Sequence, residues 1–76
     1  MSKTQFFQEI DKILELTPGT IEGNENVKDF EQWDSLSVLS FISMADTHFS
    51  ALVTANDLAK CTTFADLASL FPSKIS

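Results

Sequence analysis

Trp33-Asp34-Ser35-Leu36-Ser37-Val38-Leu39-Ser40-Phe41-Ile42-Ser43-Met44-Ala45-Asp46-Thr47-His48-Phe49 is the stretch that sets the fold. Val38, Phe41, Ile42, Ala45 and Phe49 recur at helical spacing and lie within roughly 100° of arc, which predicts a helix with one buried stripe. Asp34 is placed to cap it, with its charge at the positive end of the helix dipole. Leu36 and Leu39 fall off the stripe, on a neighbouring face with Ser43, while Ser37, Ser40 and Thr47 continue the polar side.

The flanking segments repeat the helical theme. From Thr4 to about Leu16, the residues Phe6, Phe7, Ile10, Ile13 and Leu14 form a stripe of roughly 120°, with Gln8, Glu9, Asp11, Lys12 and Glu15 on the opposite side. Ser2 and Gln5 have capping-box spacing. Thr17-Pro18-Gly19 ends this helix, because proline blocks continuation and glycine permits the turn. A long connector from Thr17 to about Trp33 is expected to be an ordered loop, pinned to the core at Ile21, Val27, Phe30 and Trp33. Loops of that length inside a small domain are uncommon and often functional. Beyond Phe49, Thr54 with Asp57 and Thr63 with Asp66 have capping-box spacing again. They predict a two-turn helix with Leu58 inward and a last helix with a Phe64, Leu67, Ala68 and Phe71 stripe. Pro72 stops it, and the tail Ser73 to Ser76 is expected to fray. The expected architecture is all-α, a single domain spanning residues 1–76. It is a small four-helix bundle with a long first loop and a short third helix.

Composition narrows the function classes. A hydrophobic fraction of 43% argues for a packed core rather than disorder. The formal net charge is −6, with five basic residues against eleven acidic ones. That balance argues against nucleic acid, which needs a basic face, and against anionic membranes. It favours partners with basic docking surfaces. A single cysteine excludes an intramolecular disulfide and offers no zinc cluster. No signal peptide or spanning segment is evident, so the cytoplasm is the default location.

Catalysis needs a constellation of groups, and none is evident. His48 is the single histidine, on the flank of the apolar stripe at the end of the second helix; a solvated or half-buried helix residue is the plain reading. Cys61 between the last two helices reads as core packing. The acidic connector, with Glu22, Glu25, Asp29 and Glu31, lacks the spacing of a calcium loop and reads as a solvated, partner-steering surface. Ser35 is different. Its hydroxyl sits in the first turn of a helix, beside backbone N–H groups that lack intrahelical acceptors and at the positive dipole end. A phosphate ester there would be stabilised by both. Serine is a poor nucleophile without a base, so any such group is attached by another enzyme. Leu36 and Leu39 form either a docking pair beside it or a contact with the connector through Phe30 or Trp33.

Taken together, Asp34-Ser35-Leu36, the segment Phe49-Ser50-Ala51-Leu52-Val53-Thr54 and the segment Lys60-Cys61-Thr62-Thr63-Phe64-Ala65-Asp66-Leu67 resemble the acyl carrier protein family in sequence and spacing, over nearly the whole chain. The resemblance implies that Ser35 carries a 4′-phosphopantetheine arm. A phosphopantetheinyl transferase would attach it from coenzyme A with magnesium. Acyl- or aminoacyl-loading and transferring enzymes would then use the arm's thioester. The chain itself would do no bond chemistry. Its partner-facing residues would be Asp34, Leu36, Ser37, Leu39, Ser40 and Ser43. A monomer is expected, because no second large apolar face is left over once the four stripes are packed. Two departures from the family point to a specialised pathway: the second helix is poor in acids after Asp34, and Trp33 stands where a small residue is usual. The alternative is a small helical adaptor that binds another protein and is never modified. A hydrolytic or metal enzyme is remote for want of a constellation.

Overall fold

The computed structural model describes residues 1–75. These residues form four helices, α1 (Lys3–Ile13), α2 (Ser35–Phe49), α3 (Ala55–Ala59) and α4 (Phe64–Ala68), with a 3₁₀ turn at Val27–Asp29 between the first two. Among the described residues there is no strand, and the class is all-α. No described helix is long and apolar enough to cross a membrane.

Each helix starts where its sequence supplies a cap. Ser2 and Gln5, Thr54 and Asp57, and Thr63 and Asp66 form reciprocal capping boxes, and Asp34 caps α2 alone. The last two helices are five residues each. Helices that short do not persist in water by propensity, so caps and packing hold them. The first helix ends earlier than its apolar spacing suggests. Glu15 turns left-handed at φ 59°, and the Leu16 N–H donates to the Asp11 carbonyl at 2.8 Å, closing a Schellman-type end. Ile13 is therefore only half-buried, although the stripe includes it.

The core is aromatic. Phe6 is fully buried and meets Phe41 edge-on at 5.9 Å, with Phe49 at 6.3 Å and Phe71 at 6.2 Å. One ring thus ties α1 to α2 and to the turn after α4. Edge-to-face and offset pairs of this kind add about 0.5–1.5 kcal/mol each beyond burial. Met44, which the stripe omits, is also buried in this cluster.

The connector is ordered as expected, with Ile21 and Val27 buried and Phe30 and Trp33 half-buried. Its middle is stitched to the start of α4: Asn26 bridges Thr63, Val27 N–H donates to the Thr62 carbonyl at 3.0 Å, and Ala65 N–H to the Gly23 carbonyl at 2.8 Å. Gly23 has φ 116°, and its hydrogen faces the Phe7 ring; a Cβ there would stand 2.7 Å from Phe7 Cζ. Glycine is required at that point by conformation and by space.

Two expectations are corrected. Asp11, assigned to the polar side of α1, is fully buried, and its carboxyl oxygens accept from Gly19 N–H at 2.8 Å and Ile21 N–H at 3.0 Å. It satisfies the backbone of the turn that opens the connector, which makes its burial tolerable. The tail does not fray over its described part: Ile75 is buried, its N–H donates to the Phe71 carbonyl, and the chain's amino terminus donates to the Lys74 carbonyl at 3.2 Å. Ser76 lies outside the described residues.

Candidate functional site

The site is built at the junction of the connector and α2. Trp33 closes the connector, its ring edge-on to Phe41 at 5.9 Å and to Phe64 at 5.8 Å. That anchoring sets where the helix begins. Asp34 then caps α2, its Oδ1 accepting from Ser37 N–H at 3.0 Å, while Val38 N–H donates to the Asp34 carbonyl at 2.9 Å. The hydrogen bond from the Ser37 backbone holds the Asp34 carboxyl below its ordinary value.

Ser35 follows as the first residue of α2, with its side chain in solvent. Leu36 and Leu39 are 75% and 63% exposed, and Ser40 and Ser43 are exposed beside them. The alternative in which the leucines tuck against Phe30 or Trp33 is overturned by that exposure. Phe41, Ala45 and Phe49 occupy the core side instead. Ser37 is also corrected. It is buried, and its hydroxyl donates to the Gln32 carbonyl, so it ties the helix to the connector. An open groove beside this face runs between the end of α1 and the start of α2, where Ile13, Leu14, Glu15 and Gln32 stand across from Asp34, Leu36, Ser37 and Ser40.

Several acidic side chains are occupied within the chain. Both Glu25 oxygens accept backbone N–H groups, from Glu22 at 2.7 Å and Gly23 at 2.8 Å. Desolvation raises the Glu25 carboxyl, but these hydrogen bonds outweigh it and leave it below its ordinary value. Glu25 is thus a clasp on the connector, where the sequence suggested a partner-steering charge. Asp57 and Asp66 close capping boxes, and Asp66 also accepts from Thr62 N–H at 2.9 Å. Glu22, Asp29 and Glu31 remain exposed on the connector.

Cys61 is buried with its thiol 3.6 Å from the Asp57 carbonyl; burial, then the charges of Asp66 and Asp57, push it up. His48 is exposed at the end of α2. Among the described residues no three His, Cys, Asp or Glu side chains converge as a metal site.

The sequence identified Asp34, Ser35, Leu36, Leu39, Ser40 and Ser43, and the structure leaves all six exposed, from the cap of α2 to its middle. It missed Glu15 and Gln32 as groove residues. Neither carries a local signal, since both come to the groove through the end of α1 and the last turn of the connector. In comparisons with known proteins, the chain matches no family model, no curated protein and no solved structure.

Proposed function

We propose that the chain is a carrier of acyl-carrier type, a small helical bundle whose Ser35 is esterified with 4′-phosphopantetheine by a transferase that uses coenzyme A and magnesium. The observation that carries this reading is the placement of Ser35. An exposed hydroxyl stands at the first position of a capped helix, at the end of an ordered connector, next to two exposed leucines. A phosphate ester at that hydroxyl would sit by first-turn N–H groups and the positive helix end. No base accompanies the serine, which fits a group attached from outside. The arm's thiol would hold an acyl or aminoacyl thioester. As a flexible tether it would keep the cargo at high effective concentration near each active site on which the carrier docks. Chemistry on the cargo would belong to those enzymes, in a specialised biosynthetic pathway.

Leu36 and Leu39 by themselves would also suit an unmodified protein-protein adaptor. Intact-mass spectrometry separates the readings. The protein and its Ser35→Ala variant are incubated with coenzyme A, magnesium and several phosphopantetheinyl transferases. The carrier reading expects one phosphopantetheinyl group on the wild type and none on the variant. A folded wild type that gains no mass with any transferase refutes it and leaves the adaptor.

A further inference from the structure

Ser37 is buried at the head of α2, whereas Asp34, Ser35 and Ser40 around it are exposed. It donates twice, to two residues that precede it. Its N–H goes to Asp34 Oδ1 at 3.0 Å, and its hydroxyl goes to the Gln32 carbonyl. The same Gln32 carbonyl accepts from Asp34 N–H at 3.0 Å, and the Asp34 carbonyl accepts from Val38 N–H at 2.9 Å. Residues 32–38 are thereby closed into one hydrogen-bonded unit, with Ser35 inside it. The two bonds to Asp34 belong to any helix start that an aspartate caps. The hydroxyl bond is additional, and it reaches past the cap into the connector. The Ser35 side chain stands in solvent, so the backbone of this unit sets where its hydroxyl lies.

We propose that Ser37 is a positioning residue for the modification of Ser35: its hydroxyl holds the end of the connector against the first turn of α2 and so fixes the place of the Ser35 hydroxyl. The proposal rests on the carrier reading. In the transfer, Ser35 Oγ bonds to the phosphorus of coenzyme A that bears the pantetheine. The bond from that phosphorus to the bridging oxygen breaks, adenosine bisphosphate leaves with the electron pair, and the serine proton passes to a base of the transferase. Attacking and leaving oxygens stand roughly in line across the phosphorus, and a misplacement of about 1 Å can cost about a hundredfold in rate. Removing the Ser37 hydroxyl leaves the two bonds to Asp34 but lets them open more often. One hydrogen bond of ordinary net worth is about tenfold in the population of the ordered turn. Leu36 and Leu39 are unchanged, so the loss falls on the transfer step and spares recognition of the carrier.

The test compares the wild type with Ser37→Ala, Ser37→Thr and Ser37→Val. The last two have nearly the same shape and differ by the hydroxyl. Single-turnover transfer from coenzyme A, with magnesium and an excess of a phosphopantetheinyl transferase, is followed by intact mass at increasing transferase concentration. The maximum rate should fall about tenfold in Ser37→Ala and Ser37→Val and stay within about twofold of wild type in Ser37→Thr. The half-saturating concentration should change less than about twofold throughout. A variant that is merely less stable is still folded at the assay temperature, as circular dichroism checks, and keeps its maximum rate. Independently of transfer, exchange of the Val38 N–H should quicken about tenfold in Ser37→Ala, while the N–H groups of Phe41 and Phe49 keep their protection. Equal maximum rates for Ser37→Thr and Ser37→Val, a loss confined to the half-saturating concentration, or failure of both hydroxyl-free variants to fold overturns the proposal. A modified wild type with Ser37→Ala modified as fast refutes the positioning role alone. A wild type that gains no mass with any transferase refutes the carrier reading, and the positioning role with it.

Discussion

Asp11 is the buried group on which the connector turns, and its replacement gives the sharpest test of the fold. One carboxyl oxygen accepts from Gly19 N–H at 2.8 Å and the other from Ile21 N–H at 3.0 Å. Asparagine keeps the shape but has one acceptor. The two donors are not equivalent: Ile21 is buried, whereas Gly19 is exposed. The asparagine oxygen should keep Ile21, and the Gly19 N–H should turn to water. One hydrogen bond is lost without a deeply buried orphan, a cost of about 2 kcal/mol. Leucine removes both acceptors and strands the Ile21 N–H, so Asp11→Leu should cost about 4 kcal/mol. A chain of 76 residues is stable by about 4–11 kcal/mol. That leaves the asparagine variant about 2–9 kcal/mol and the leucine variant about 0–7 kcal/mol, so the leucine variant is the one brought nearest to unfolding. Urea unfolding followed by Trp33 fluorescence and far-ultraviolet circular dichroism measures both. With a slope of about 1 kcal/mol per molar urea, the asparagine midpoint should fall by about 2 M. Two costs below about 1 kcal/mol, or leucine milder than asparagine, would refute the assignment of Asp11 as the buried acceptor of this turn.

Other expectations follow from single contacts. Gly23→Ala should destabilise by about 3 kcal/mol, from its positive φ and the clash with Phe7; part should return in a Phe7→Leu background, where the ring is gone, and thermal melts of the two singles and the double decide it. Ser35→Ala should leave the melting temperature nearly unchanged, since the hydroxyl is exposed, while abolishing any mass gain with transferase. Backbone donors hold Asp34, Asp57 and Asp66 below the ordinary 3.8. The unfolded chain then takes up protons first as pH falls. Stability should be full above about pH 5 and decline below about pH 4, with a shallower decline in an Asp57→Asn, Asp66→Asn double variant. Cys61, buried with its thiol pushed up, should react with iodoacetamide only as the chain unfolds, so labelling should rise with urea along the unfolding curve.

Capping spacings and aromatic spacing were legible because both act within a few residues. Ser2 with Gln5, Thr54 with Asp57 and Thr63 with Asp66 are sufficient to place three helix starts, and all three boxes form. Asp11, Glu25 and Ser37 were misread for one shared reason. Each is a polar residue whose partner is the backbone of the connector, at Gly19 and Ile21, at Glu22 and Gly23, and at Gln32. Periodicity assigns polar residues to solvent and cannot see a loop returning to cover them. The end of α1 was misplaced because Glu15 adopts a left-handed conformation more usual for glycine. The burial of Ile75 had no local signal either, since it depends on the tail folding back on Phe71.

The orientation of α2 is what converts these packing details into a candidate site. The helix is apolar on two sides, with Phe41, Ala45 and Phe49 on one and Leu36 and Leu39 on the other, so amphipathicity alone leaves its rotation ambiguous. Aromatic geometry removes the ambiguity. Phe41 is fully buried against Phe6 and Trp33, and Phe49 lies 4.8 Å from Phe71. Leucine has no ring to fill that space, and turning the helix to bury Leu36 and Leu39 would expose both phenylalanines. Burying either aromatic outweighs burying a leucine by area. The Ser37 hydroxyl on the Gln32 carbonyl locks the same rotation from the connector side. The leucines are thus exposed because the aromatics win the core, and Ser35 shares their side of the helix by the same rotation. A Phe41→Leu variant weakens that competition, so it should let Leu39 move inward and lower its exposure, which amide hydrogen exchange and the chemical shifts of the Leu39 methyls would register. If those shifts stay fixed while stability falls, the rotation is set by the Asp34 cap and the Ser37 bond rather than by the rings.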